Sequence, residues 1–292
     1  MAGLKEIRTR IASIKTTRQV TSAMKMVSAA KLKKAQDAII NFRPYANRLQ
    51  EIMEQVAGSL KEENISPYCA ARESGNILLV IVTSNRGLCG GFNSNIIRKF
   101  QELLSTKYSE AFASGKVKVM SIGKQGERQL KSARIKVDFS ANDVWDSFSY
   151  AEVESLTKRL LKDFENGVFD KVEIIYNEFV NAAMQRPIVQ DFLPVKIHEA
   201  DNIGDEGLVL YEPSKSSIAM EMIPRMLRTQ FYKAMLDSWA AEHGARMTAM
   251  HMATDNATDL INELTLVYNK ARQASITKEI LEISAGAEAL RG

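Results

Sequence analysis

The chain has 292 residues, 45% hydrophobic and 25% charged, with a formal net charge of +4, a profile that excludes collagen-like, low-complexity and membrane-embedded classes. Its longest apolar run, ILLVIV at 77–82, is far short of the ~20 residues a membrane span needs. The opening MAGLKEIRTRI also lacks the apolar stretch of a signal peptide. These features predict a soluble chain whose link to any membrane is indirect or peripheral.

The first segment, predicted as helix over 1–60, holds most of the charge asymmetry. Residues 1–50 carry eleven basic side chains against Glu6 and Asp37, a local balance of +9 that leaves −5 for the rest of the chain. The stretch KTTRQVTSAMKMVSAAKLKKA at 15–35 has no acidic residue, so its cations repel one another with no i,i+4 Glu partner to relieve them. Leu4, Ile7, Ile11 and Ile14 follow the 3-4-3 spacing of a coiled-coil seam. That seam passes Arg18 and Thr21 and resumes near Met24 and Val27, while Pro44 is expected to kink or restart the helix. A helix of roughly 55 residues reaches about 80 Å, which predicts that it projects from any domain it joins.

The second segment, 74–200, alternates strand and helix. NILLVIVT (76–83) fits a strand buried on both faces, followed by the turn SNRGLCGGFN and a helix. KVKVMSIG (116–123), IKVDFS (135–140), DKVEIIYNEFV and PIVQDFLPV supply further strands, with helices at KQGERQLKSA and YAEVESLTKRLLKDFENG. The alternation predicts a mainly parallel, Rossmann-like α/β domain. The third segment, 214–292, is helical again: Ala257, Leu260, Leu264, Val267, Ala271 and Ala274 step 3-4-3-4-3, with Leu281 seven beyond. Two terminal helices with apolar stripes on either side of a compact insert predict an intramolecular antiparallel coiled coil.

Signals for chemistry are weak. The turn at 83–95 sits between strand and helix, where phosphates often bind, but it has neither GxGxxG nor a Lys–Ser/Thr closure. Its glycines, including Gly87 and Gly91, are read as permitting a tight strand–helix crossing. Cys69 and Cys89 lack CxxC pairing, which predicts free thiols in a reducing compartment, and His198, His243 and His251 form no metal spacing. No residue earns a catalytic role, and no cofactor or metal is expected. Methionines on both terminal helices, from Met24 and Met26 to Met250 and Met252, are expected to divide between core filling and a soft partner surface. For the basic helix, nucleic acid would reward the charge, yet aromatic interleaving is absent and the last helix carries DNATDLINELTL. A membrane would need an apolar face that the seam already uses. An acidic protein partner fits best.

The residues also resemble a known family. GLKEIRTRIASIKTTRQVTSAMKMVSAAKLKKAQ near the start and DNATDLINELTLVYNKARQASITKEILEISAGAEAL near the end are similar to the terminal signatures of the gamma subunit of F-type ATP synthases, and SNRGLCGGFN resembles its central turn. The resemblance runs end to end. It implies a non-catalytic rotor subunit that couples proton flow to ATP synthesis or hydrolysis by rotation. Its partners would be the alpha3beta3 hexamer of alpha and beta subunits, an epsilon subunit and the c-subunit ring. By position it implies that Met24, Lys25 and Arg246 lie near beta-subunit lever loops and that Arg272, Gln273 and Thr277 meet beta catch loops. Residues 280–290 would turn in an apolar sleeve, and Tyr211 and Glu212 would belong to a foot near the c ring. The inserted cysteine pair of the chloroplast form is absent, so thiol regulation is not expected. With no transit peptide visible, the resemblance favours the cytoplasmic side of a bacterial inner membrane, held there peripherally through the Fo sector.

Overall fold

The computed structural model describes residues 3–58, 66–70, 72, 75–195, 212 and 214–289. The chain divides into two compact units, Met1–Ser28 with Met247–Gly292, and Ala29–Arg246. Two helices contribute to both: α1, Leu4–Gly58, and α6, Lys215–Ala289. The larger unit also holds β1 (Ile77–Val82), α2 (Phe92–Thr106), α3 (Ser109–Ala113), β2 (Val117–Ile122), α4 (Lys124–Ser132), β3 (Phe139–Ser140), α5 (Tyr150–Glu165), β4 (Lys171–Phe179) and β5 (Gln185–Leu193). A 3-10 turn, Asn142–Trp145, links β3 to α5.

Among the described residues the strands form one sheet in the order β3-β2-β1-β4-β5, parallel except for the antiparallel pair β4–β5. Every residue of β1 is buried, and strand alternation divides them between two cores. Leu78, Val80 and Val82 pack with Leu156, Leu160 and Phe164 of α5 and with Ile223, Leu227 and Phe231 of α6. Ile77, Leu79 and Ile81 pack with Ile96, Phe100 and Leu104 of α2 and Leu130 of α4. Burial of each such side chain is worth about 1.5–3 kcal/mol, which is why the continuous apolar run becomes a central strand. One acid interrupts the α2 side. Glu173 of β4 is fully buried and accepts from Lys107 Nζ at 2.5 Å, Tyr108 Oη at 2.6 Å and Lys171 Nζ at 2.8 Å. Burial, with the Glu173 carboxylate beside it, pushes the Tyr108 hydroxyl up to about 12.

Several sequence expectations change. The strand predicted at 135–140 shortens to β3, because the Asp138 carboxylate accepts the Val119 amide at 3.0 Å and so takes a donor that a longer ladder would use. The close chain crossing lies after β2, not in the Gly87–Gly91 turn. A Cβ on Gly123 (φ +117°) would lie 2.1 Å from the Thr83 carbonyl, whereas one on Gly87 would meet nothing within 4 Å. Helix α1 runs through Pro44 without interruption; the proline is exposed, so water can serve the Ile40 carbonyl that loses its N–H partner.

In the unit built from the two chain ends, the helix pairing is antiparallel. Thr21 Oγ1 meets Thr254 Oγ1 at 2.9 Å and Lys25 Nζ meets His251 Nδ1 at 3.3 Å, so α6 positions fall as α1 positions rise. The α1 seam is a regular heptad through Ile7, Ile11, Ile14, Arg18, Thr21, Lys25 and Ser28, all at least partly buried. Val27, expected on the seam, is 57% exposed. On α6 the seam runs Met250, Thr254, Ala257, Ile261, Leu264, Tyr268, Ala271 and Ser275. Leu260, Val267 and Ala274, expected there, face outward, and their neighbours Ile261, Tyr268 and Ser275 replace them. Two heptad frames share Ala257, Leu264 and Ala271, and the α1 partner selects the frame in use.

Candidate partner-docking surface

On α1 the terminal unit carries cations without internal compensation, whereas on α6 Lys278 pairs with Glu282 at 3.6 Å. Lys5, Arg8, Arg10, Lys15 and Arg18 make no ion pair among the described residues, and all but Arg18 are exposed. Lys5, Arg8, Lys15 and Arg18 have no acidic residue at i±3 or i±4, and among the described residues Arg10 does not pair with Glu6 at i−4. Beside the cations lie outward apolar side chains: Val20, Met26 and Val27 on α1, and Met252, Leu260, Leu266 and Val267 on α6. A narrow two-helix seam buries only one stripe of each helix, so the remaining faces stay open. From Ile276 to Ala289 every α6 side chain is exposed, including Ile280, Leu281 and Ile283 at 58%, 64% and 72%. Such a run of large apolar groups in water marks a surface meant to be covered. The methionines divide: Met226, Met235 and Met250 are buried, while Met26, Met220 and Met252 are 65%, 57% and 60% exposed.

The residues singled out by sequence are distributed unequally. Met24 and Lys25 are half-buried on α1, with Lys25 held by His251. Arg272, Gln273 and Thr277 lie together and exposed on α6, and Thr277 donates to its own Gln273 carbonyl at 2.9 Å. Glu212 is exposed, Tyr211 lies outside the described residues, and residue 290 of the expected bearing segment does so too.

Arg246 belongs to the larger unit and is only 6% exposed. Its guanidinium donates to Glu242 at 2.7 Å and to the Arg86 carbonyl at 2.8 Å, with the Gly87 carbonyl at 3.4 Å and His243 Nδ1 at 3.3 Å. Burial raises the Glu242 carboxyl while Arg246 draws it back down. Burial and the Arg246 and Lys31 charges hold His243 down to about 3, hence neutral near pH 7. The same turn is tied from within, where Ser84 N donates to Asn93 Oδ1 at 3.0 Å and Asn93 Nδ2 donates to Ser84 Oγ at 2.8 Å and to Cys89 Sγ at 3.3 Å. Burial pushes the Cys89 thiol up, so it stays protonated. At the tip Leu88 adopts φ +62° and is 65% exposed. A non-glycine residue held in the left-handed region and in water is a costly placement. Sequence reading passed over Leu88 and the Glu242–Arg246 clamp and weighed His251 only as a metal ligand; for Leu88 a lone leucine between glycines was the available signal.

Among the described residues no helix is long and apolar enough to cross a membrane. A family model described as ATP synthase matches residues 3–290. The chain is 49% identical over 292 residues to the ATP synthase gamma chain of Flavobacterium johnsoniae and 47% identical to that of Flavobacterium psychrophilum, in each case covering all of both chains. It is also similar to a chain of the Euglena gracilis mitochondrial ATP synthase, solved with OSCP, F1 and the c-ring in rotational state 3. The TM-score there is 0.71 at 22% identity, covering 98% of this chain and 94% of the other, a likeness that speaks to the fold alone.

Proposed function

The chain belongs to the ATP synthase gamma-chain family, and from that premise we propose that its terminal helix pair is the torque-bearing shaft of a proton-driven rotary ATP synthase. The observation that carries this reading is the antiparallel pairing of the two chain ends through Thr21–Thr254 and Lys25–His251, on a helix whose first five cations, from Lys5 to Arg18, make no ion pair among the described residues. Residues 1–60 and 214–292 act as the shaft and 74–200 as the body. The shaft turns inside the alpha3beta3 hexamer, and the unpaired cations meet acidic beta-subunit loops. Each orientation favours one beta conformation by differential contact, which is how a rotation becomes a cycle of nucleotide affinities. The chain itself performs no bond chemistry.

In this reading Met24, Lys25, Arg272, Gln273 and Thr277 meet beta loops directly. Arg246, being buried, acts through the turn whose carbonyls it grips, with Leu88 as the projecting side chain. The exposed end of α6 runs in an apolar sleeve. Tyr211 and Glu212 belong to the foot near the c ring, where an epsilon subunit joins. The assembly is held on the cytoplasmic face of a bacterial inner membrane through Fo, with this chain peripheral.

Reconstitution with purified alpha and beta subunits tests the reading. A complex with sustained ATPase activity, and rotation of a bead on this chain, are expected, while the chain alone hydrolyses nothing. No complex, together with steeply salt-dependent RNA binding by the isolated chain, would move the basic helix to nucleic acid instead.

A further inference from the structure

In the larger unit α1 reaches the α5-side core with Leu49, backed by Ile52. Aliphatic burial of this kind holds a helix in place without fixing how it is turned, because the hydrophobic effect has no direction. Toward the start of α1, Phe42 meets rings instead. It lies edge-on to Tyr232 of α6 at 4.9 Å and 74°, and tilted to Tyr150 of α5 at 6.5 Å. Tyr232 and Tyr150 meet edge-on in turn, at 5.2 Å. One ring from each of these helices thus closes a triangle.

A further ring comes from the α/β body. Phe148, just before α5, stacks on Tyr232 at 5.8 Å and 8°, and tilts against Trp239 at 5.0 Å and Trp145 at 5.3 Å. Tyr232 and Trp239 fall on one stripe of α6, so Phe148 engages successive turns of that helix. Its own segment is tied down on both sides. The Asn142 carbonyl accepts from Asn85 Nδ2 at 3.0 Å and Asn142 Oδ1 accepts the Gly123 amide at 2.8 Å. Val144 is buried, and Ser149 caps α5 by accepting the Glu152 amide at 3.4 Å. Phe42, Phe148, Tyr150, Tyr232 and Trp239 are all half-buried, at the margin of the core and not at its centre.

Resting on the rotor reading, we propose that Phe148 and Tyr232 are positioning residues that key α1 and α6 to the α/β body, so that torque passes between the body and both helices without slip. Ring pairs have preferred stacked and edge-on geometries. Turning either helix about its own axis sweeps Phe42 across Tyr232 and Tyr150, or Tyr232 across Phe148, and breaks those geometries. Aliphatic contacts such as that of Leu49 resist the same motion far less. Both residues act through the angular register of the helices, with no contact to nucleotide or partner. The anchoring of Phe148 by Asn85 and Asn142 makes the body the fixed side of the key.

The test uses the complete rotary complex carrying this chain, with the alpha3beta3 hexamer fixed to a surface and a bead on the c ring. Phe148→Leu and Tyr232→Leu keep apolar bulk and lose the rings. Each should widen the angular spread of the bead during pauses and lower the protons pumped per ATP, while ATP turnover without a proton gradient is unchanged. Tyr232→Phe keeps the ring and should match the parent in all three readings. In the isolated chain, α6 amides around Tyr232 should exchange about 2- to 10-fold faster for each ring pair lost. A role in folding alone would move that exchange and leave the angular spread as it was. Phe148→Met, unbranched and adaptable, replaces a leucine variant that does not assemble. A parent-like spread in the ring-less variants, or a Tyr232→Phe chain as loose as Tyr232→Leu, overturns the proposal while the rotor reading stands. A parent bead that never turns overturns both.

Discussion

The two units achieve order by different means. In Ala29–Arg246 a central strand has every residue buried and two cores on its faces. Among the described residues of the terminal unit, only Ile7, Thr21, Ser28, Met250, Ala257 and Ile261 are buried, and three of these six are hydroxyl residues or alanine. The body is stabilised by layered burial. The shaft relies on helical hydrogen bonding along one seam, and it leaves its cations and outer apolar groups for a partner. A surface that must be gripped from outside in successive orientations cannot also be spent on an internal core.

The sharpest way to break this contrast is a pair of truncations. Leu79→Ala, at a fully buried site, should cost about 2–5 kcal/mol in urea unfolding. Ile261→Ala, on a single seam, should cost about 1–2 kcal/mol. Equal costs would mean that the shaft has a core of its own. Comparable to the Leu79 truncation is Arg246→Ala, which strands the buried Glu242 carboxylate and frees two turn carbonyls; a loss of about 3–5 kcal/mol is expected. Arg246→Lys should recover only part of that loss, since an ammonium cannot span the same acceptors.

Asp237 offers a test with a definite sign. Burial raises its carboxyl from an ordinary 3.8 to about 6, with Glu178 adding to the rise and Lys233 and Arg43 opposing it. The folded chain therefore keeps this proton longer than the unfolded chain does. The stabilisation is fully present below about pH 3.8 and is lost as pH rises through about 6. Asp237→Asn should thus leave stability unchanged near pH 4 and raise it by about 1–2 kcal/mol at pH 7. A variant less stable than the parent at pH 7 would rule this out. The smallest structural effect belongs to Arg272→Ala, on the exposed face of α6. Unfolding should shift by no more than about 0.5 kcal/mol, while coupled turnover in the reconstituted complex falls. Loss of assembly with normal turnover in the surviving complexes would remove Arg272 from the contact.

Much of the architecture was legible because its signals are local. The run at 77–82 reads as a doubly buried strand and is one. Strand–helix alternation over the middle of the chain gives the mainly parallel sheet, and the 3-4 spacing at both ends gives the paired helices. The end-to-end resemblance of the terminal stretches to the gamma subunit of F-type ATP synthases agrees with the family match over residues 3–290. The errors have a common source. The strand at 135–140 was shortened by a side chain, Asp138, competing for a ladder donor. The glycine turn proved open at Gly87, with the tight crossing displaced to Gly123. The buried Glu173 and Arg246 clusters join residues 65 and 160 positions apart, beyond any window that periodicity can read.

Sequence alone determined the periods: two for the strands, three and a half for the terminal helices, and a basic face with nothing nearby to neutralise it. These depend on neighbours within a turn or a pleat. It could not choose between two heptad frames that share Ala257, Leu264 and Ala271, because each satisfies the period equally. Tertiary structure decided that choice: Thr21 against Thr254 and Lys25 against His251 turn Ile261 inward and Leu260 out. A single helix carries its own rhythm, but its phase is defined only against the helix it packs on.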